Sequence, residues 1–509
     1  MSTRHLLRRT RHLHRHHATL ATTSPTAPTP SPPPPSLMIY DRAAEAVKSK
    51  LRRLNNPDPR FLRHASPYPT TSDHTHLLQF PATQVTTLPN GLRVATESSL
   101  SSRSAAVSVA IDSGSRFEKD DNSGVAKFLE RVILKSVPAD LADIGGELSG
   151  FTGREGSRLL LKLLSKDLGK GVQILGRVLQ DLDLSDAVID KVRHDILKEK
   201  DQADANGENV ILDQLHATAF QYTPLGRTIY GSVNDIQSIT KADIQEYISS
   251  HCAAHRMVIS ASGGVKHEEL VELVKSGFTK LSANPATTPQ LVASDPVNFT
   301  GSEVRIIDDD LPIARFAVAF EGASIKDPDS IALMVLQTML GSWSKTDGGG
   351  KHVGSQLVQM AAINEVAESI KTFNINYKDT GLFGIYADAK PDCLDDLSYG
   401  IMHEISKLSY RVSDDDVIRA RNQLKSTLLL QSNGINASSE EIGRQLLSYG
   451  RKIPFAELYA RIDAVDADTI KRVANRFIFD KDVAIAAMGS IRSLPDYNWF
   501  RRRTYWLRY

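Results

Sequence analysis

The sequence predicts an α+β fold made of two homologous domains, and three observations carry that reading. With 41% hydrophobic and 24% charged residues over 509 positions, the chain is ordinary globular material and long enough for two or more substantial cores. β-prone runs and amphipathic helical runs are mixed along its whole body. The order of these runs also repeats. Ser185–Lys198 parallels Asp414–Lys425, Ile236–Glu246 parallels Ile462–Arg472, and the strands that follow the second pair, Met257–Ala261 and Val483–Ala487, parallel each other. A strand-then-helix entry recurs as Val107–Leu134 and Phe316–Leu340. Offsets of about 209 to 229 residues imply two units of roughly 210 residues with a junction near 295 to 303.

Residues 1–40 stand apart from everything after them. They carry five arginines (Arg4, Arg8, Arg9, Arg11, Arg15), five histidines, Ser/Thr/Pro enrichment and no acid before Asp41, the profile of an organellar transit peptide. Leu6, Leu7, Leu13 and Leu20 interleave with the arginines, as in a basic amphipathic helix. Pro25–Pro35 reads as an extended spacer. Without those five positive charges the net +1 falls to about −4, so the body offers no general basic field and no nucleic-acid partner is expected. No run approaches the roughly eighteen apolar residues of a transmembrane helix. The two cysteines, Cys252 and Cys393, exclude a disulfide framework and fit a reducing compartment. The expected division is 1–40 transit peptide, 41–80 extension, 81–298 first α+β domain and 299–509 second.

Within the first domain, Val85–Thr96 gives two β-prone runs around Asn90-Gly91, a strong hairpin signal. Ala105–Ile111 follows as a strand and feeds through Asp112–Arg116 into a helix at Gly124–Leu134. Gly145–Glu155 and Ser157–Leu164 read as paired strands, and helices follow from about Asp167 to Leu182 and Ser185 to Asp201.

The helix at Gly124–Leu134 carries the candidate chemistry. Lys127, Glu130 and Arg131 fall at i, i+3 and i+4 on one face, Val125, Phe128, Leu129, Val132 and Ile133 take the other sides, and Asp120, Asp121, Asn122 and Ser123 offer capping groups. Taken alone, K-x-x-E-R is a solvated helix face with one weak ion pair. With histidine at 127 and 131 it would read H-x-x-E-H, in which two imidazoles one turn apart bind Zn²⁺ and the glutamate activates water. An ammonium and a guanidinium have no lone pair for a metal. Elsewhere, His251 and His255 flank Cys252 at i,i+4 but read as a polar helix end. His194 and Glu199 are off one another's face. Gly348–Gly350 with Lys351 lacks phosphate-loop spacing and reads as a flexible loop, and the aromatic, basic Trp499–Tyr509 reads either as a lipid- or partner-facing end or as a packed terminus.

From about Tyr40 the chain resembles the family of mitochondrial processing peptidase β subunits and complex III core 1 proteins. The matching stretches are Thr86–Ser98, Leu215–Ile229, Thr338–His352, Asn376–Gly384, Val417–Lys425 and Pro495–Tyr509. The resemblance implies that each domain is a mainly antiparallel sheet packed with helices. It places the family's two zinc histidines on Lys127 and Arg131, its catalytic glutamate on Glu130, its distal zinc glutamate on Glu199 and a further acid on Val192. The segment between the motif and Gly145-Gly146 is shorter than the family's. It also implies a location on the matrix side of the mitochondrial inner membrane, an α-type or core 2 partner, other complex III subunits and presequence peptides. By β-augmentation, the peptide edge would be Gly146, Glu147, Leu148, Ser149, Gly150 and Phe151, with Ser149 and Gly150 departing from the family pattern. Because the metal ligands have changed together, no cofactor is expected. Lys127 and Arg131 would then replace the dication beside Glu130 and Glu199, and the role would be structural or presequence-holding. The alternative is an active zinc endopeptidase that cleaves presequences together with an α subunit.

Overall fold

A computed structural model of the chain describes residues 81–99, 101–281 and 286–505. The expected transit peptide and extension lie outside these residues, which all belong to one packed unit. The Asn90-Gly91 turn folds β1 (Gln84–Thr87) back on β2 (Arg93–Ser98). Gly91 takes φ 87°, a region closed to most side chains, and Asn90 Oδ1 accepts from Leu92 N at 3.1 Å. β3 (Ser104–Ile111), β4 (Glu147–Thr152), β5 (Ser157–Leu164) and β6 (Met257–Gly263) complete a sheet in the order β1-β2-β6-β3-β5-β4.

The second half builds the same sheet again. β7 (Ser302–Ile307), β8 (Ala314–Gly322), β9 (Ser342–Ser344), β10 (Ser369–Asn376), β11 (Gly381–Ala389) and β12 (Ala484–Gly489) run in the order β7-β12-β8-β11-β10-β9. Setting aside β1 and β9, the orders β2-β6-β3-β5-β4 and β7-β12-β8-β11-β10 correspond strand for strand. Each has one parallel pair at the same place, β2 with β6 and β7 with β12, among antiparallel neighbours. The repeat seen in the sequence is therefore a repeat of topology.

Each sheet is buried on both faces, which explains why β3 is almost uniformly buried. Val107, Val109 and Ile111 point into the first half's core with Phe128 and Val132, while the small residues of the other face meet a helix from the opposite half. Helix Ile435–Tyr449 lies on β3 and β6, and Gly443 is there for space: a Cβ at that position would stand 2.9 Å from Ala110 Cβ. Reciprocally, helix Gly207–Ala219 of the first half sets Ile211, Leu215 and Ala219 against Ala317, Ala319, Ala484 and Ala486 of the second sheet. Small side chains on the sheet let the helices approach closely.

A charged clamp also joins the halves. The turn between β10 and β11 brings Asp379 onto Arg116, both oxygens at 2.6 Å from the guanidinium, and Arg116 also meets Glu155 at 2.5 Å. Lys378 bonds Asp112 through its ammonium and Glu155 through its backbone N–H at 2.9 Å. Arg116 is 3% exposed, so its charge depends on these partners. Asp379→Ala is expected to lower stability by about 3 kcal/mol, read from the urea midpoint. A change of less than about 0.5 kcal/mol would mean that the clamp is only surface charge.

Candidate functional site

The helix that carries the motif spans Val125–Lys135, and it buries Val125, Phe128, Leu129, Val132 and Ile133. Its cap differs from the sequence expectation. None of Asp120, Asp121, Asn122 or Ser123 caps it: Asn122 Oδ1 is used by Lys119 N, and the N-cap residue is Gly124 with φ 94°. Glu118 caps instead, its two carboxylate oxygens each accepting at 2.8 Å, one from Gly124 N and one from Ala126 N. The Glu118 side chain thereby satisfies two backbone donors at the helix start that have no intrahelical acceptor. Gly124 is required by space as well, since a Cβ would overlap the Tyr230 carbonyl oxygen.

Burial sets the titration of three groups near this helix and the interface. It pushes the Glu118 carboxyl up to about 8, against the pull of the two backbone N–H bonds. It holds His216, whose Nε2 lies 2.8 Å from the Tyr377 hydroxyl, well below 6.5, and His251 at about 4 with Arg256 adding to the effect. Below pH 6.5 the unfolded chain takes up protons on these histidines that the folded chain refuses, so stability falls as pH falls. Glu118 works in the other direction: between 4.5 and about 8 the folded chain holds the extra proton, and stability falls as pH rises. The urea midpoint is expected to peak near pH 6.5; a flat profile between pH 5 and 8 would contradict this.

Lys127 and Glu130 are 7% and 4% exposed. Lys127 Nζ donates to both Glu130 oxygens, at 2.9 and 3.1 Å, and lies 5.7 Å from the ring centroid of Tyr230. One turn on, Arg131 donates through Nε and Nη2 to Glu199 Oε2, at 3.0 and 2.6 Å, and stands 3.9 Å from Glu130. Glu199 belongs to helix Asp186–Asp204, which is tied to the motif helix a second time by Lys135 and Asp195 at 2.7 Å, with Val192 fully buried a turn before Asp195. The four motif positions thus form two charge-matched pairs across two helices. Tyr230, which sequence reasoning did not single out, closes one side; burial and the nearby Glu199 raise its hydroxyl pKa.

These residues do not fit zinc. Lys127 and Arg131 occupy the positions where the motif needs imidazoles, and both carboxylates are engaged by cations. Among the described residues no three His, Cys, Asp or Glu side chains are grouped to hold a metal. Both Glu130 oxygens accept from the Lys127 ammonium in this arrangement.

The proposed peptide edge lies beside this cluster. β4 is the last strand of its sheet, and Glu147, Leu148, Ser149, Gly150 and Phe151 all lie on it, whereas Gly146 precedes it. Gly150 faces the motif helix, where a Cβ would stand 2.8 Å from Glu130 Cγ. Phe151 is 49% exposed with the Arg158 guanidinium 4.4 Å from its ring centroid. The remaining candidates do not converge on a site. His251 Nδ1 takes a bond from Arg256 at 2.8 Å, while His255 Nε2 meets the Ala286 carbonyl at 3.1 Å. The glycines at 348–350 turn around Trp343, whose Nε1 donates to Gly348 O at 2.9 Å. Phe500 of the terminal helix Tyr497–Arg503 and Thr504 after it are buried, so that end is packed as far as Thr504, while Tyr505 is exposed; residues 506–509 lie outside the described residues.

Two repeated sheets, each buried by a helix of the other half, frame a helix set beside an edge strand, and each carboxylate of the cluster there is paired with a cation. The chain belongs to the M16 peptidase family: the model described as insulinase (peptidase family M16) matches residues 93–233, and the one described as peptidase M16 inactive domain matches residues 238–424. It is 60% identical over 484 residues to the probable mitochondrial-processing peptidase subunit beta of Arabidopsis thaliana, covering 94% of this chain and 91% of that one. It is 38% identical over 447 residues to cytochrome b-c1 complex subunit 1 of Rattus norvegicus, covering 85% and 92%. Among solved structures, a chain of complex III2 from Candida albicans superposes with a TM-score of 0.76 at 23% identity, covering 83% of this chain and 99% of that one, a likeness of fold.

Proposed function

We propose that this chain is a mitochondrial subunit of the processing peptidase β and complex III core 1 type that has given up peptidase chemistry and acts structurally, or by holding presequences. Its likeness to processing peptidase β subunits and to cytochrome b-c1 complex subunit 1 over nearly its whole length supports the type and the mitochondrial location. The observation that carries the loss of chemistry is the pairing of Lys127 with Glu130 and of Arg131 with Glu199. Its partner is an α-type or core 2 subunit, and through it other complex III subunits. The open edge of β4 supports peptide holding, because an extended segment can add to it as a further strand.

The competing reading, a zinc endopeptidase acting with an α subunit, draws on the same similarity and lacks a ligand set. Co-expression with an α-type subunit separates the two. The expected result is a stable heterodimer that cleaves no presequence, whereas cleavage abolished by Glu130→Gln would overturn the proposal.

A further inference from the structure

The second half contains a cavity that the site above does not use. Its volume is about 300 Å³, at the low end of the range over which pockets take small molecules. It opens where the end of helix Leu394–Lys407, the following loop and the first turns of helices Gln356–Asn364 and Asp414–Gln431 meet. Leu357, Leu408 and Val412 give it an apolar wall. Its charged lining is Lys407, Arg411 and Arg419 against Glu404 and Asp416.

These charges differ in how far they are committed. Lys407 is satisfied by Glu404 at 3.0 Å and by the Gln356 side-chain oxygen, so that pair is closed. Asp416 approaches Arg419 Nη2 only to 3.7 Å, beyond hydrogen-bond reach. The stem of Arg419 is laid across Gly354, where a Cβ would overlap its Cδ and Nε, and that Nε is buried without an acceptor. The glycine leaves room for the stem and so seats the guanidinium in a fixed place at the cavity wall. Among the described residues, Arg411 makes no side-chain hydrogen bond or ion pair, and it stands on the loop at the rim.

We propose that this cavity binds a small molecule through an oxyanion, a phosphate or a carboxylate, held between the guanidiniums of Arg411 and Arg419. Two planar forks of donors suit the planar or tetrahedral oxygens of such a group, and charge assistance makes these bonds stronger than neutral ones. The rest of the ligand lies on Leu357, Leu408 and Val412. Asp416 limits the charge the cavity accepts, which favours a single anionic group over a polyanion.

The test is calorimetric titration of the full chain with inorganic phosphate, a phosphate monoester and succinate at constant ionic strength, beside Arg411→Gln and Arg419→Gln. One saturable site is expected, weakened at least about tenfold by either substitution. A response to phosphate and the monoester alone assigns a phosphate ligand; a response to succinate alone assigns a carboxylate. Arg411 lies at the surface, so Arg411→Gln remains informative if Arg419→Gln fails to fold. No saturable binding of any probe, or binding undiminished in Arg411→Gln, would overturn the proposal.

Discussion

Lys127→Met is expected to destabilise the chain by about 3 to 5 kcal/mol, the range found when one partner of a buried ion pair is removed. The substitution keeps most of the apolar stem and takes away the ammonium that bonds both oxygens of Glu130. That carboxylate is 4% exposed, packed against Gly150, and keeps only Arg131 at 3.9 Å as a nearby cation. Arg131 already spends its Nε and Nη2 donors on Glu199. The double variant Lys127→Met, Glu130→Leu is expected to recover most of the loss, because two apolar groups of similar volume remove the desolvation problem altogether. Urea denaturation of the parent, both single variants and the double variant gives the coupling directly. An unchanged midpoint in Lys127→Met would show that the pair contributes no more than a surface bridge.

The second large effect is a gain. Lys127→His with Arg131→His restores two imidazoles one turn apart, with Glu130 between them and Glu199 on the adjoining helix. Without metal this variant is expected to be less stable than the parent, since both glutamates lose their cations. With zinc at a thousandfold excess over its dissociation constant, about 4 kcal/mol is expected to return. The parent, whose positions 127 and 131 offer no lone pairs, is expected to show no such response. Melting with zinc and with a chelator reads both chains. A variant indifferent to zinc would show that more than these two ligands separates the site from an H-x-x-E-H helix, with the buried Val192 and the neighbouring Tyr230 as the first places to look.

Much of this arrangement was legible in the sequence, because it rests on local signals. The motif helix was placed to within a residue at each end by its apolar spacing, the Asn90-Gly91 hairpin by turn chemistry, and the second sheet by the repeated order of strands and helices. The placing of Lys127, Glu130, Arg131 and Glu199 came from family resemblance, while their chemistry followed from residue type alone. What stayed hidden depends on contacts between distant segments. Asp120–Ser123 carry the composition of a cap, yet Glu118 reaches the helix end because the chain turns there and the carboxylate spans two N–H groups. Nothing local marks Tyr230 as a neighbour of Lys127, or Asp379 as the partner of Arg116, 263 positions away. The exchange of helices between halves was equally silent. Gly443 on helix Ile435–Tyr449 is its one local trace, a small residue where a helix must lie close to a sheet.

If two cation–carboxylate pairs stand in place of a metal on this helix, the purified chain carries no zinc, and its metal content can be measured outright. The chain would be prepared without chelator, dialysed against metal-free buffer and assayed by elemental analysis beside the double-histidine variant. No stoichiometric zinc is expected in the native chain and about one zinc per chain in the variant. One zinc per native chain, lost on Glu199→Gln, would contradict it.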